Sequence, residues 1–202
     1  MEGRKILYYV AEKNGYDFHK MYAVVNQHKF EFNDQDVEEV CSKASNNFIT
    51  ILDVGYPERL KRIYNPAMVL NYEGDISVLS KSGKFIFLFD RANTFNLSED
   101  IVVTISEGMI NVGGVLKLWL NKKYEDIVPL HNIAAGLCRV VAILTPVLDH
   151  QEMAASVLIT SMLNIGGDVY VAPTVNPSFN NKLIKEGAYL ADCKEDLDVK
   201  ED

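Results

Sequence analysis

The sequence has no long apolar run. None of its segments approaches the roughly 18 uninterrupted apolar residues needed to span a bilayer. The first residues, MEGRK, lead into a charged amphipathic stretch instead of the apolar core of a signal peptide. These two absences predict a protein that is neither exported nor membrane-spanning, and therefore cytoplasmic.

Cysteine is scarce and poorly spaced for cross-linking. The three cysteines, Cys41, Cys138 and Cys193, are an odd number and include no C-x-x-C pair. The spacing therefore predicts neither a disulfide framework nor a zinc site. We expect free or buried thiols in a reducing compartment.

Catalytic and cofactor motifs are also missing. The four histidines, at positions 19, 28, 131 and 150, lack metal-ligand spacing and favour surface or capping roles. No serine lies in a G-x-S-x-G turn, and no G-x-G-x-x-G follows a strand. We therefore predict no catalytic residue, no metal, no cofactor such as NAD or ATP, and no enzymatic activity.

Positive charge is in the minority. The formal net charge of −8 argues against a generic polyanion binder, because affinity for DNA depends on Lys and Arg side chains. Residues 192–202 hold six acidic residues against two lysines and so carry half of that net charge. We expect these residues to form a solvated acidic tail. The rest of the chain is then only mildly acidic, which is compatible with a local basic pocket.

The sequence begins with helical patterns and continues with alternating strands and helices. In residues 1–47 apolar side chains recur at helical spacing, which predicts a small helical region. The continuous apolar segments 85–89 and 169–173 are typical of strands covered on both faces, as in a parallel sheet. The alternation over residues 48–191 predicts an α/β fold with a Rossmann-like, doubly wound, mainly parallel sheet.

The middle of the chain carries less distinct patterns. Apolar residues within 101–105 keep helical spacing after Asn96 and up to Gly108, so we predict a helix there. Residues 109–112 predict a strand that ends at a Gly-Gly pair, and the alternation in 116–120 favours another strand.

Open α/β sheets bind ligands beyond the carboxyl ends of their strands. The residues that follow the predicted strands are largely polar, and they are 90–94, Gly113 with Gly114, Thr145 with Pro146, and 174–176. These positions are the candidates for ligand contact.

Several short motifs in a fixed order resemble the bacterial DNA-processing protein DprA family. Residues 53–60, DVGYPERL, are similar to the family's D-x-x-Y-P-x-x-L, and YNPAMVLNYEGD at 64–75 is similar to the x-x-P-P-x-x-L and x-x-G that follow. The later matches, in order, are IAAGL at 133–137, LIT at 158–160, VYVAP at 169–173 and NKLIKEGA at 181–188. Their agreement in order makes the resemblance specific to this family.

The departures from the family pattern concern its phosphate-binding glycines. Where the family has G-S-R-x-x-T-x-Y-G, residues 89–97 read FDRANTFNL, which keeps Arg91 and Thr94 but loses both glycines. Phe89 and Asp90 would obstruct and repel an anion, because a backbone cradle needs residues without side chains. Gly113 stands where the family's S-G-x-A-x-G-I-D begins, but the rest of that motif is absent. The chain is thus predicted to be a shortened, degenerate member.

The resemblance implies a non-catalytic homodimer that binds single-stranded DNA and cooperates with a RecA-type recombinase during DNA uptake. The candidates for DNA contact are Arg91, Thr94, Lys182 and Lys185, and those for a possible ligand loop are Gly113, Gly114 and Asn181. In the alternative interpretation, Arg91 is a surface arginine paired with a neighbouring acid and the two lysines belong to a solvated helix face.

Two other functions stay open at this point. The chain could be a nucleotide or small-ligand sensor of the Rossmann-like group, using the Gly-Gly pair and the loop at 174–182. It could also be a structural paralogue that keeps the sheet only as an oligomerisation surface. The retained arginine favours DNA binding, whereas the lost glycines and the acidic balance favour the structural role.

Overall fold

A computed structural model describes residues 3–27, 33–44, 47–81, 84–89, 101–120, 127–175, 178–192 and 194–197. Within these residues the chain forms seven α-helices, three short 3-10 helices and nine strands. The helices are α1 Gly3–Asn14, α2 Phe18–Asn26, α3 Asp34–Ser42, α4 Glu58–Lys61, α5 Ile127–Leu137, α6 Glu152–Asn164 and α7 Phe179–Lys185. The strands are β1 Asn47–Thr50, β2 Val69–Gly74, β3 Phe85–Leu88, β4 Ile101–Ser106, β5 Met109–Val112, β6 Leu116–Trp119, β7 Val140–Ile143, β8 Asp168–Val171 and β9 Tyr189–Leu190.

The nine described strands form one mixed sheet in the order β1-β2-β6-β5-β4-β3-β7-β8-β9. From β4 through β3, β7 and β8 to β9 all neighbours are parallel, whereas the four pairs from β1 to β4 are antiparallel. The predicted mixture of helices and strands is present. The parallel pairing that the sequence predicts is found only from β4 to β9, because the strands from β1 to β4 pair antiparallel.

The β4–β5 hairpin replaces a helix that the sequence pattern predicts. Residues 101–105 read IVVTI, and every one of them is β-branched, which stiffens the side chains and favours a strand. Glu107 and Gly108 then have φ angles of 52° and 70°, as a two-residue type I′ turn between β4 and β5 requires. Gly108 is therefore a hairpin residue, and the predicted helix is wrong.

The parallel strands bury both faces. Phe87 and Val141 contribute to the large hydrophobic cluster on one face, which also contains residues of α5 and α6. Their neighbours Ile86 and Val140 belong to a smaller cluster on the other face. This alternation explains why the strand sequences are continuously apolar.

Three helices occupy the range in which the sequence predicts a helical region. Asp17 and Asn33 accept hydrogen bonds at the starts of α2 and α3 from the backbone N–H groups three residues later. The buried side chains of α1 are Leu7, Tyr8, Val10 and Ala11. They join the same large cluster as the sheet, so α1 packs on the main core.

The acidic C-terminal segment is partly packed. Residues Lys194–Leu197 form a 3-10 helix, and Leu197 is only 4% exposed in the smaller cluster, together with Ile86 and Ala191. The backbone N–H of Asp192 donates to Asp196 at 3.0 Å. The expectation of a solvated tail from residue 192 is therefore wrong at Leu197, because one leucine among the acids provides apolar surface to bury.

Candidate functional site

The carboxyl edge of the sheet is the side on which β3, β7 and β8 end. The loops after β7 and β8 meet there at Asn180, which is fully buried. Its Oδ1 accepts from the backbone N–H of Val147 at 3.0 Å, and its Nδ2 donates to the carbonyls of Thr145 and Ala172 at 3.0 and 3.1 Å. One side chain thus holds two loops and the start of α7 in a fixed arrangement.

Asn181 holds the loop after β8 in the same way. Its Oδ1 accepts from the Thr174 N–H at 3.0 Å, and its Nδ2 donates to the Thr174 carbonyl at 2.8 Å. Ser178 accepts from the Asn181 N–H at the start of α7, and its hydroxyl also bonds the Thr174 hydroxyl. The amide of Asn181, predicted to belong to a ligand loop, is therefore engaged with the backbone of its own loop.

The two candidate lysines lie on α7, which begins at the carboxyl edge. Lys182 is solvent-exposed, and its Nζ lies 3.8 Å from Oε1 of Glu186, an exposed pair that contributes little to stability. Lys185, one turn further along, is also exposed. Residues three apart on a helix are surface neighbours, so the structure brings these two charges together on an accessible face.

The glycine pair lies elsewhere. Gly113 and Gly114 have φ angles of 57° and 70° and form the turn between β5 and β6. Because β5 runs against β4, this turn lies where β4 begins, and the Gly113 N–H donates to the Val102 carbonyl at 2.8 Å. The prediction that Gly113 and Gly114 share a carboxyl-edge ligand loop with Asn181 is wrong, because it assumed a parallel β5.

The remaining candidates follow β3. This strand ends at Leu88 at the carboxyl edge, and the N–H of Phe89 donates to the Ala142 carbonyl at 3.2 Å. The predictions for Arg91 and Thr94 lie outside the described residues. Of the DNA-contact candidates, the structure therefore describes Lys182 and Lys185.

Buried Asn180 is the residue that sequence reasoning missed at this edge. The signal was present, since a serine suited to cap a helix is followed by two asparagines at 180 and 181. Across the described part of the chain, no three His, Cys, Asp or Glu side chains are placed to hold a metal ion. No helix among the described residues is long and apolar enough to cross a membrane.

No family model matches the chain, and no curated protein matches it. Its structure matches the X-ray structure of DNA processing protein A, DprA, from Streptococcus pneumoniae, with a TM-score of 0.61. The match covers 86% of this chain and 80% of that one. The chain has a DprA-like fold.

The DprA-like fold extends over most of both chains, although only 19% of the aligned residues are identical. Identity this low supports the resemblance at the level of structure alone. The carboxyl edge at which Asn180 and α7 lie is the ligand-binding side of open parallel sheets in general. This edge is therefore the first place to look for a binding site.

Proposed function

We propose that this protein is a DprA-like DNA-processing or recombination accessory protein. In this proposal it binds single-stranded DNA weakly, or binds a recombination partner such as a RecA-type recombinase, and catalyses no reaction. The observation that carries the proposal is the structural match to DNA processing protein A over 86% of the chain. The sequence motifs, which occur in the family's order, support the proposal independently of the structural comparison.

The DNA-contact surface in this proposal is the carboxyl edge. Arg91 and Thr94 follow β3 in the chain, and the exposed Lys182 and Lys185 on α7 add two cations to the same side of the sheet. An arginine can bind a phosphate with two parallel hydrogen bonds, which suits it to a site that has lost its glycine cradle. Asp90 beside it would weaken the local positive field, so we expect low affinity.

The decisive measurement is the fluorescence anisotropy of labelled oligo-dT at several salt concentrations. If phosphates are bound, the logarithm of the association constant falls with the logarithm of the salt concentration, by about 0.7 for each phosphate contacted in a single strand. Arg91→Ala should weaken binding by about 1–3 kcal/mol, the range for a hydrogen bond to a charged group, and Asp90→Lys should strengthen it. Lys20→Ala, an exposed lysine on α2, is the matched control and should leave the affinity unchanged.

Equal binding by the wild type, Arg91→Ala and Asp90→Lys would remove the carboxyl edge from consideration. Absence of salt-dependent binding would leave only a protein partner, to be tested by titration with a purified RecA-type recombinase.

We further propose that the protein is a homodimer. Light scattering coupled to size-exclusion chromatography tests this, and a monomer at micromolar concentration would contradict it.

A further inference from the structure

A basic cleft lies at the opposite, amino edge of the sheet, where β3 and β7 begin. It has a volume of about 250 Å³. Its walls combine three cations with apolar side chains, among them Arg59, Lys81, Arg139, Leu79, Phe85 and Leu137. Arg139 directly precedes β7, Arg59 lies on α4, and Lys81 directly follows the 3-10 helix Ile76–Ser80 that precedes β3. Three separate parts of the chain therefore supply positive charge to one recess.

The two arginines of this cleft are not neutralised by acidic side chains. Within the described residues, neither Arg59 nor Arg139 forms an ion pair or a side-chain hydrogen bond. The one acid that lines the cleft, Glu58, is paired with Lys61. Elsewhere in the described chain Arg4, which like Arg59 is half-buried, does have a carboxylate neighbour, Asp53 at 3.6 Å.

Arg59 is the more constrained of the two. Burial lowers the pKa of its guanidinium, and the nearby charge of Arg139 lowers it further. The neighbouring thiol of Cys138 cannot compensate, because complete burial raises its pKa and keeps it neutral. A half-buried cation beside a second cation destabilises the folded protein, and such arrangements concentrate at functional sites, where a ligand of opposite charge offsets the cost.

Size and chemistry narrow the class of ligand. The cleft is smaller than the roughly 300–1,000 Å³ of typical small-molecule sites, so it has room for one phosphate with little more than a sugar. Guanidinium groups match the geometry of phosphate oxygens with paired donors. Phe85 and Leu79 offer apolar surface to the rest of the ligand. We propose that the cleft formed by Arg59, Lys81 and Arg139 binds a phosphate group.

This site is distinct from the carboxyl edge of the proposed function. The strand β3 separates them, since Phe85 begins it at the cleft and Leu88 ends it at the other edge. The phosphate could belong to a free anion, a mononucleotide or the end of a DNA strand, all of which present the same group to the arginines. The site goes beyond the proposed function, because phosphate binding here requires neither Arg91 nor the lysines of α7.

Isothermal titration calorimetry of the full chain at constant ionic strength tests this inference. The probes are inorganic phosphate, thymidine 5′-monophosphate, and oligo-dT with and without a 5′-phosphate. Arg139→Gln should weaken binding of the preferred probe about tenfold or more, as expected for loss of a hydrogen-bonded charge. Arg139 is exposed, so this variant should fold normally. Arg59→Lys keeps the charge but loses the paired donors, and it should weaken binding by a smaller factor.

Two controls separate this site from the other proposal. Lys20→Gln removes an exposed positive charge that does not line the cleft, and this variant should bind like the wild type. Arg91→Ala should also keep phosphate affinity, whether or not it loses oligo-dT. The inference is overturned if none of the probes binds, or if Arg139→Gln and Arg59→Lys bind the preferred probe as tightly as the wild type. The tightest probe identifies the source of the phosphate.

Discussion

Asn180 shows how a polar side chain can be structural at the very edge where ligands are expected. Its side-chain amide accepts a hydrogen bond from the backbone N–H of Val147 and donates to the backbone carbonyls of Thr145 and Ala172. Buried backbone groups need such partners, and loops that cannot pair with strands obtain them from side chains. The loops of the carboxyl edge are therefore held in place before any ligand binds.

Gly74 lies at a position where the neighbouring backbone leaves no room for a side chain. Its φ is 103°, and a Cβ at this position would lie 2.0 Å from the carbonyl oxygen of Val115. Gly74→Ala should lower the free energy of unfolding by about 3 kcal/mol, because overpacking costs about 1–3 kcal/mol and a left-handed backbone about 1–2 kcal/mol. Urea denaturation measures the change.

Gly114→Ala is the matched control for that substitution. Gly114 also has a positive φ, 70°, but nothing lies within 4 Å of the position of its Cβ. Only the backbone penalty of about 1 kcal/mol applies to it. If the two variants were equally stable, close approach to Val115 would not be the reason for a glycine at position 74.

At the level of elements, the sequence predicted what depends on local pattern. The strands β3, β5, β6 and β8 are found where the apolar segments 85–89, 109–112, 116–120 and 169–173 predict them. The error at β4 arose because IVVTI fits a helical face and a strand equally well by apolar position, and only its β-branching distinguishes them.

The candidate site was predictable in part for the same reason. Lys182 and Lys185 could be assigned to a helix next to the carboxyl edge from local sequence. The direction of β5 could not, since it depends on which strand pairs with which, and so Gly113 and Gly114 were placed at the wrong edge. The cleft around Arg59 and Arg139 joins residues 80 positions apart, a relation that no local pattern contains.

The 3-10 helix Lys194–Leu197 should stabilise the parallel half of the sheet. Leu197 packs against the cluster that contains Ile86, Leu88 and Val140. Leu197→Ala should therefore lower the free energy of unfolding by about 2 kcal/mol, at the lower end of the range for leucine truncation in a core. Thermal and urea unfolding measure it. Val175→Ala, at a fully exposed position, should change stability by less than about 0.5 kcal/mol, and an equal effect of both would show that Leu197 does not pack.

At the scale of the whole molecule, buried tyrosines set a limit to stability in alkali. Burial, followed by the nearby carboxylate of Glu12, raises the pKa of Tyr8 from 10.0 to about 12. Burial also raises the pKa of Tyr16 and of Tyr56, whose hydroxyl donates to the Ala67 carbonyl at 2.5 Å. Each phenol is held in its neutral form by the folded protein.

Because these folded-state pKa values exceed the unfolded value, the tyrosines favour the folded state fully below pH 10, and this contribution falls as the pH rises towards 12. Urea midpoints measured between pH 9 and about 11 should therefore decrease. Tyr8→Phe should make the decrease shallower. Tyr64→Phe, at a residue 78% exposed, should not alter it, and a decrease of the same slope in all three proteins would point to other groups.

The strand order also determines which surface the protein must protect from aggregation. The strands β3 to β9, seven of the nine described strands, are contiguous in the sheet, and their outer strand β6 carries the apolar residues Leu116, Leu118 and Trp119. The strand β2, which pairs with β1, covers β6 from an earlier part of the chain. If β2 detached, the unpaired backbone of β6 would become a template for pairing with another molecule. The β1–β2 pair thus protects the rest of the sheet against intermolecular association.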